Sequence, residues 1–295
     1  MSALSEVGEA LARHEGVRRL GRRAINAGHV LRHAAGLRDR DLARLTWLLV
    51  ATMPNSGSTA LAALLATAPN AETLTPNGEG IWLLPSISDP PAAWDPSLPR
   101  SMLPLRLAWT HKAARTRPGP AVIVEKSPQN LSRFRRVVDA LDGMEVRCLR
   151  LYRDPYAVCA SWARRYNAAR LAGDADERAA LFGKLGRQYA GRLRLLDDLD
   201  DLSRLDLRYE DVVADPSGTA ARLMDAVPEL GPVDPAARLK VKDYPDQPLI
   251  DMNARQIGAL TEADLAAITA ALAPVAGQLE ARGYGLRAPV AEGAP

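Results

Sequence analysis

LTWLLVATMPNSGSTALAALL, residues 45–65, is the stretch on which the fold turns. It opens as an apolar run, Leu45–Met53, with the length and composition of a buried strand. Pro54-Asn55-Ser56-Gly57 breaks that run with turn residues, and Ala60–Leu65 reads as the first turns of an apolar helix. Strand, tight loop and helix N-terminus together form the geometry that cradles an anion: free backbone N–H groups and the positive end of the helix dipole converge where the loop closes. Gly57 permits close approach of backbone to ligand, while the Ser58 and Thr59 hydroxyls can cap the helix or bond ligand oxygens. A plain β–turn–α unit with a capping serine accounts for this stretch equally well.

The loop is not the nucleotide-triphosphate form. G-x-x-x-x-G-K-[ST] places a lysine before the hydroxyl residue to reach the β- and γ-phosphates. Here Gly57 precedes Ser58, and the loop contains no lysine.

Residues 121–165, AVIVEKSPQNLSRFRRVVDALDGMEVRCLRLYRDPYAVCASWARR, decide between the two readings. Taken with PNSGST at 54–59 and LRYEDVVADP at 207–216, they resemble the sulfotransferase family that uses 3′-phosphoadenosine-5′-phosphosulfate. PNSGST resembles the 5′-phosphosulfate loop, P-[KR]-S-G-[ST]-T. RDPYAVCAS resembles the 3′-phosphate motif, and RYEDVVADP the strand-to-helix segment downstream. The motifs fall in the family's order. The resemblance covers residues 45–220 well and reaches the C-terminal part loosely through LEARGYG.

The resemblance implies a P-loop-like α/β fold, three layers with a central parallel sheet flanked by helices. It also implies roles for named residues. Asn55, Ser56, Gly57, Ser58 and Thr59 would hold the 5′-phosphosulfate, Arg153 and Ser161 the 3′-phosphate, and Tyr209 matches a position near the adenine or the 3′-phosphate. A guanidinium suits bidentate phosphate contact and a serine adds a hydroxyl donor. Glu79, in the turn Pro76-Asn77-Gly78-Glu79-Gly80, matches the catalytic base, and Lys126 of Glu125-Lys126-Ser127-Pro128 matches the lysine that contacts the transferring group. A solvent-exposed turn glutamate and a strand-end lysine are the plainer readings of these two. One departure stands out: the family pattern has Lys or Arg after the loop proline, where this chain has Asn55. A neutral amide donates hydrogen bonds but does not neutralise charge developing on the bridging oxygen, so Lys126 has to supply the cation or catalysis is weakened.

Composition sets the outer bounds. The chain has 295 residues, 47% of them hydrophobic, enough for one large α/β domain. Net charge is +3, with a sequence pI of about 9.0, too even a balance to indicate nucleic acid by itself. Few aromatics argue against a single-strand stacking platform. Cys148 and Cys159 read as buried free thiols in a reducing compartment, not as a disulfide framework. The N-terminus has no apolar signal-type core, and no run reaches the ~18 apolar residues of a membrane span, which reads as cytoplasmic. No clustered His/Cys pattern suggests a metal site.

The domain reading is a basic helical extension over 1–44, a sulfotransferase-like domain over 45–287, as the resemblance implies, and a disordered tail over 288–295. The strands expected after the first are Asn70–Thr75, Ala121–Val124, Glu145–Tyr152 and Leu205–Arg208. Gln129–Leu141 reads as an amphipathic helix whose Arg133, Arg135 and Arg136 form a solvated face. Residues 86–120, rich in proline and tryptophan, read as irregular with short helices, and they include His111, whose chemistry suits acid–base work but whose type is more often structural. Glu177–Leu199 reads as a long helix, and Thr261-Glu262 as the cap of a last helix over Ala263–Arg282. Asp154 reads as a helix-capping or arginine-orienting residue, and Lys240, Lys242 and Arg255 as candidates for a late basic segment over the 3′-phosphate.

The expected reaction is sulfuryl transfer to an acceptor hydroxyl on a small molecule, glycan or lipid, with no nucleic-acid partner and the oligomeric state open. Two alternatives stay open: a P-loop kinase-like phosphotransferase, and a nucleotide-binding protein whose catalysis is impaired through Asn55.

Overall fold

A computed structural model describes residues 44–84, 87, 90–116, 121–241 and 246–287, with isolated positions at 24, 27, 28 and 42. Nearly all of the expected 1–44 extension, the 288–295 tail and Lys242 lie outside the described residues.

Five strands form one wholly parallel sheet: β1 (Leu45–Thr52), β2 (Ala71–Thr73), β3 (Ala121–Glu125), β4 (Glu145–Tyr152) and β5 (Ser203–Arg208). Their spatial order is β2-β3-β1-β4-β5. β1 is buried along its whole length, as an apolar run with no polar alternation requires. Trp47, Leu49 and Ala51 enter the core on one face of the sheet, Leu48 and Val50 that on the other. The first core takes in helices Leu103–Thr116, Pro155–Tyr166, Ala175–Asp197 and Glu262–Leu272, and the second takes in Ser58–Leu65 and Pro216–Ala226. The result is the expected three-layer α/β architecture. The chain leaves β1 for β2 and β3 on one side, then crosses to β4 and β5 on the other. The carboxyl ends of β1 and β4 therefore flank a topological switch point, where open parallel sheets bind ligands.

Most expected elements form. β3, β4 and β5 match within a few residues, and Asp154 caps the helix that begins at Pro155 by accepting the N–H groups of Tyr156 and Ala157. Thr261 and Asp264 complete a capping box. Three expectations need correction. The expected last helix is three pieces, 262–272, 273–275 and 276–281, because Pro274 has no N–H to continue the first ladder. Gln129–Leu141 begins as a 3-10 segment, Pro128–Arg133, and only Phe134–Ala140 is α-helical. The proline-rich middle holds a 14-residue helix, Leu103–Thr116. Its single proline, Pro104, sits in the first turn, where the missing N–H costs nothing. Trp109 of this helix is fully buried and stacks on Trp47 at 5.8 Å between ring centroids.

The solvated arginine face is also corrected. Arg135 is exposed and pairs with Asp201, but Arg133 is buried and donates to the carbonyls of Ala93 and Asp95. Arg136 donates to the carbonyls of Pro96, Pro99 and Arg100. These two arginines staple the segment 93–100 to the 3-10 turn after β3. Guanidinium forks can satisfy several carbonyls that irregular chain leaves without ladder partners. Arg133→Met removes two such bonds. A loss of about 2–4 kcal/mol in urea unfolding is expected, with limited proteolysis cutting first within 93–100.

Candidate functional site

Every strand delivers a residue to one cavity at the carboxyl edge of the sheet. The cavity has a volume of about 1040 Å³. Pro54, Asn55, Gly57, Ser58 and Thr59 follow β1; Asn77 and Glu79 follow β2; Lys126 follows β3; Arg153 follows β4; Tyr209 follows β5. Ser161 lines it from the helix beyond Arg153. The structure thus brings together Asn55, Gly57, Ser58, Thr59, Glu79, Lys126, Arg153, Ser161 and Tyr209, while Ser56 is buried and outside the lining. His111 lies on the 103–116 helix away from the cavity lining, as do Lys240 and Arg255 on their own segments.

The loop is shaped by two left-handed residues. Asn55 has φ 59° and Gly57 φ 87°. Gly57 is the cap of helix Ser58–Leu65, and no side chain caps that helix. Ser58 and Thr59 sit inside its first turn, so the capping role open to their hydroxyls is not used. The first-turn N–H groups therefore meet no capping oxygen from the cap position, which is what an anion site at a helix N-terminus needs. A Cβ on Gly57 would stand 2.3 Å from the Tyr209 ring. Tyr209 is fixed in turn by its hydroxyl donating to the Ile250 carbonyl at 2.7 Å. The Asn55 amide Nδ2 and the Ser56 hydroxyl are buried and find no hydrogen-bond partner among the described residues.

Arg153 is buried at 5% exposure and holds no ion pair among the described residues. Its guanidinium donates to three neutral oxygens: Asn253 Oδ1 at 2.8 Å, the Asn55 carbonyl at 2.7 Å and Gln256 Oε1 at 2.9 Å. Its carbon lies 4.0 Å from the Tyr209 ring centroid. Burial lowers its affinity for the proton, and more distant acids partly offset that. Glu210 is spent elsewhere: it accepts from Asn253 Nδ2 at 2.6 Å and from the Tyr284 hydroxyl at 2.7 Å. Two of the five guanidinium N–H bonds stay available beside the cavity.

On the opposite side Lys126, 1% exposed, bridges two groups. Its Nζ lies 2.8 Å from Glu79 Oε1 and 3.0 Å from Thr59 Oγ1. The other Glu79 oxygen accepts from the Trp82 indole at 2.8 Å and from Gln129 at 3.5 Å. Burial works to raise the Glu79 carboxyl, but the Lys126 charge and these hydrogen bonds outweigh it and hold it below the ordinary glutamate value. Glu79 is therefore ionised at neutral pH.

Sequence reasoning passed over Glu125. It is buried, and its carboxylate accepts from the backbone N–H of Gly80 at 2.7 Å, of Ser127 at 2.8 Å, and from Asn130 Nδ2 at 3.2 Å. Lys126 N–H in turn donates to the Gly78 carbonyl, and Ile81 N–H to the Ser127 hydroxyl. The Glu125-Lys126-Ser127 run thus clamps the turn that carries Glu79. The signal was present as an acid ending an apolar strand. Sequence reasoning also left unassigned Arg164, Arg165, Lys184, Gln188 and Arg192, which the structure brings to the cavity wall from helices Pro155–Tyr166 and Ala175–Asp197. Both cysteines are buried free thiols, the Cys148 group pushed up to about 12 by burial. Among the described residues no cluster of ligating side chains suits a metal, and no helix is long and apolar enough to cross a membrane.

Residues 102–228 match the model of a family described as the sulfotransferase family. That span carries the EKSP, RDP and RYED segments but not the 54–59 loop. Among solved structures, sulfotransferase STF9 from Mycobacterium avium superposes at a TM-score of 0.57 with 14% identity, covering 92% of this chain and 84% of that one. The sulfotransferase domain of the Synechococcus PCC 7002 olefin synthase aligns at 0.48 with 19% identity, over 82% of this chain and 96% of that one. A sulfotransferase from Alicyclobacillus acidocaldarius aligns at 0.46 with 18% identity, over 80% and 94%. The Mycobacterium likeness shows a shared fold. No curated protein matches the chain.

Two outcomes follow from this geometry. Gly57→Ala combines a left-handed φ with a clash against Tyr209, so it should abolish ligand binding at the loop and lower stability by about 1–3 kcal/mol, read by calorimetry and urea unfolding. Burial raises the Glu125 carboxyl from 4.5 to about 7, its hydrogen bonds offsetting only part of that. The native state therefore holds this proton over a pH range where the unfolded chain has released it. Stability should fall with rising pH from 4.5 to about 7, and Glu125→Gln should remove that slope in unfolding midpoints measured against pH.

Proposed function

We propose that this chain, a sulfotransferase-family protein by its match over residues 102–228 and by its fold, moves a sulfuryl group from 3′-phosphoadenosine-5′-phosphosulfate to an acceptor hydroxyl. The observation that carries the donor assignment is Arg153: a buried cation whose fixed partners are all neutral oxygens, beside an uncapped helix N-terminus and an unpartnered Asn55 amide. A buried charge is costly unless compensated, and this one is built to be compensated by an anion. These residues fit a donor with phosphates at two positions. Arg153 and Ser161 would hold the 3′-phosphate, and the loop N–H groups with Ser58, Thr59 and Asn55 the 5′-phosphosulfate.

The bound donor supplies a sulfuryl group on a phosphate leaving group, so that the sulfur–bridging oxygen bond breaks as the sulfur–acceptor oxygen bond forms. Glu79 takes the proton of the acceptor hydroxyl onto a carboxylate oxygen. Trp82 and Gln129 fix the direction of that carboxylate, and its lowered proton affinity keeps it ready in the basic form at neutral pH. Lys126 supplies the cation that Asn55 cannot, holding charge on the leaving oxygen next to Thr59. The rest of the rate enhancement is positioning, as in related in-line group transfers. A kinase-like reaction has less support: the loop lacks the lysine that would reach a γ-phosphate.

Calorimetric titration tests the reading. 3′,5′-Adenosine bisphosphate without magnesium should bind tightly, and Arg153→Ala should lose that binding. ATP with magnesium should bind weakly; tight ATP binding with no bisphosphate binding would overturn the proposal. Glu79→Gln should lower kcat by about 10²–10⁴-fold while leaving bisphosphate affinity unchanged. The acid limb of kcat/KM should fall below pH 4.5, because Glu79 protonates only under its ordinary value.

A further inference from the structure

We propose, building on the sulfotransferase reading, that the acceptor is a small molecule with a flat apolar body and an anionic group, the anion received by Arg192 and Lys184 on the wall of the cavity. Two halves of the cavity can be told apart. Arg153 with Asn253, Gln256 and Tyr209 belongs to the β4–β5 side. Glu79 with Trp82 and Gln129 belongs to the β2–β3 side, where the hydroxyl has to arrive. Trp94 joins this second half: its segment is stapled by Arg133 to the 3-10 turn that bears Gln129.

Arg192 stacks on both Trp94 and Trp162, with its guanidinium carbon 5.4 Å and 4.9 Å from their ring centroids. It lines the cavity, and among the described residues its one hydrogen bond is a long one to the Gln188 carbonyl at 3.3 Å, a turn back on its own helix. It has no ion pair among the described residues. Lys184, Gln188 and Arg192 fall at i, i+4 and i+8 of helix Ala175–Asp197, which sets them on one face, and all three line the cavity. Arg164 and Arg165 add two more cations from the end of helix Pro155–Tyr166.

The sign of the wall is one-sided. Among the described residues Glu79 is the single acid in the cavity lining, and Lys126 already neutralises it. An arginine held on two aromatic faces, with Lys184 on the same helix face, is preorganised to meet a carboxylate, sulfate or phosphate, while the tryptophan faces beside it take a flat apolar surface. A neutral, purely apolar acceptor would leave Arg192 half-buried beside it with no anion, which desolvation penalises. An acidic acceptor gains from the same cations twice, in steering towards the mouth and in binding.

The test uses two probes that share a ring and a hydroxyl and differ by one carboxylate: 6-hydroxy-2-naphthoate and 2-naphthol. Each is titrated calorimetrically into the full chain, with and without 3′,5′-adenosine bisphosphate. The naphthoate should bind at least about tenfold tighter than the naphthol. Arg192→Met keeps an apolar stem against the tryptophans, and Lys184→Gln changes an exposed position. Each should cut the preference several-fold and leave bisphosphate affinity as it was. Equal affinity of the probes, absence of binding by both, or a preference that survives both substitutions overturns the proposal. So does a loss of bisphosphate affinity in these variants, since that would give the cations to the donor. Failure of the donor reading shows separately, as an intact naphthoate preference in a chain that does not bind the bisphosphate.

Discussion

A buried guanidinium with no carboxylate partner among the described residues holds the site together. Arg153 leaves the end of β4 and reaches the Asn55 carbonyl in the loop after β1, Asn253 and Gln256 on the helix 253–257, and the face of Tyr209 after β5. Its own carbonyl accepts from the Tyr189 hydroxyl, which ties in helix 175–197. Four segments far apart in the chain are registered against one residue. The cost of burying a charge is met by dipoles from neutral oxygens, an arrangement that leaves the positive charge to be completed by whatever anion enters. A carboxylate partner would have been more stabilising for the empty protein and would have closed the site.

The sheet explains why such a residue can exist there. Five parallel strands bury both faces, and all their carboxyl ends open on one edge. β1 sits centrally, flanked by β3 and β4, so the loops after these three strands meet with no intervening strand. Apolar strand interiors supply stability, and the residue after each strand is free to be polar. Asn55, Lys126 and Arg153 are all within a few residues of such an end.

A second polar network, on the β2–β3 side, fixes Glu79. Glu125 spends its carboxylate on backbone N–H groups of Gly80 and Ser127, and so sets the turn in which Glu79 stands against Lys126. One carboxyl is buried deep enough to be pushed up to about 7, while the other, in the turn the first one anchors, is held down by a lysine. Environment alone separates them: burial outweighs the hydrogen bonds at Glu125, and the Lys126 charge with its hydrogen bonds outweighs burial at Glu79. The first acts on the backbone, and the second is left able to take a proton.

Local order was legible without coordinates. The apolar run 45–53, the turn residues after it, and the strand-then-motif pattern at Glu125-Lys126 and Arg153-Asp154-Pro155 pointed to the α/β class, the parallel strands and the residues that gather at the strands' carboxyl ends, because each rests on signals within a dozen residues. Three things were decided only by the tertiary structure. Pro-rich composition concealed the 103–116 helix, since one proline in a first turn does not break a helix that the Trp47–Trp109 contact secures. The arginines after β3 read as a solvated face because a guanidinium's carbonyl partners lie some forty residues away and leave no periodic trace. The cationic wall of Lys184 and Arg192 was invisible for the same reason: its meaning comes from Trp94 and Trp162, which approach Arg192 only when the sheet brings their segments to one edge. Periodicity encodes which side of an element is buried; it does not encode which charges will face one another across a cavity.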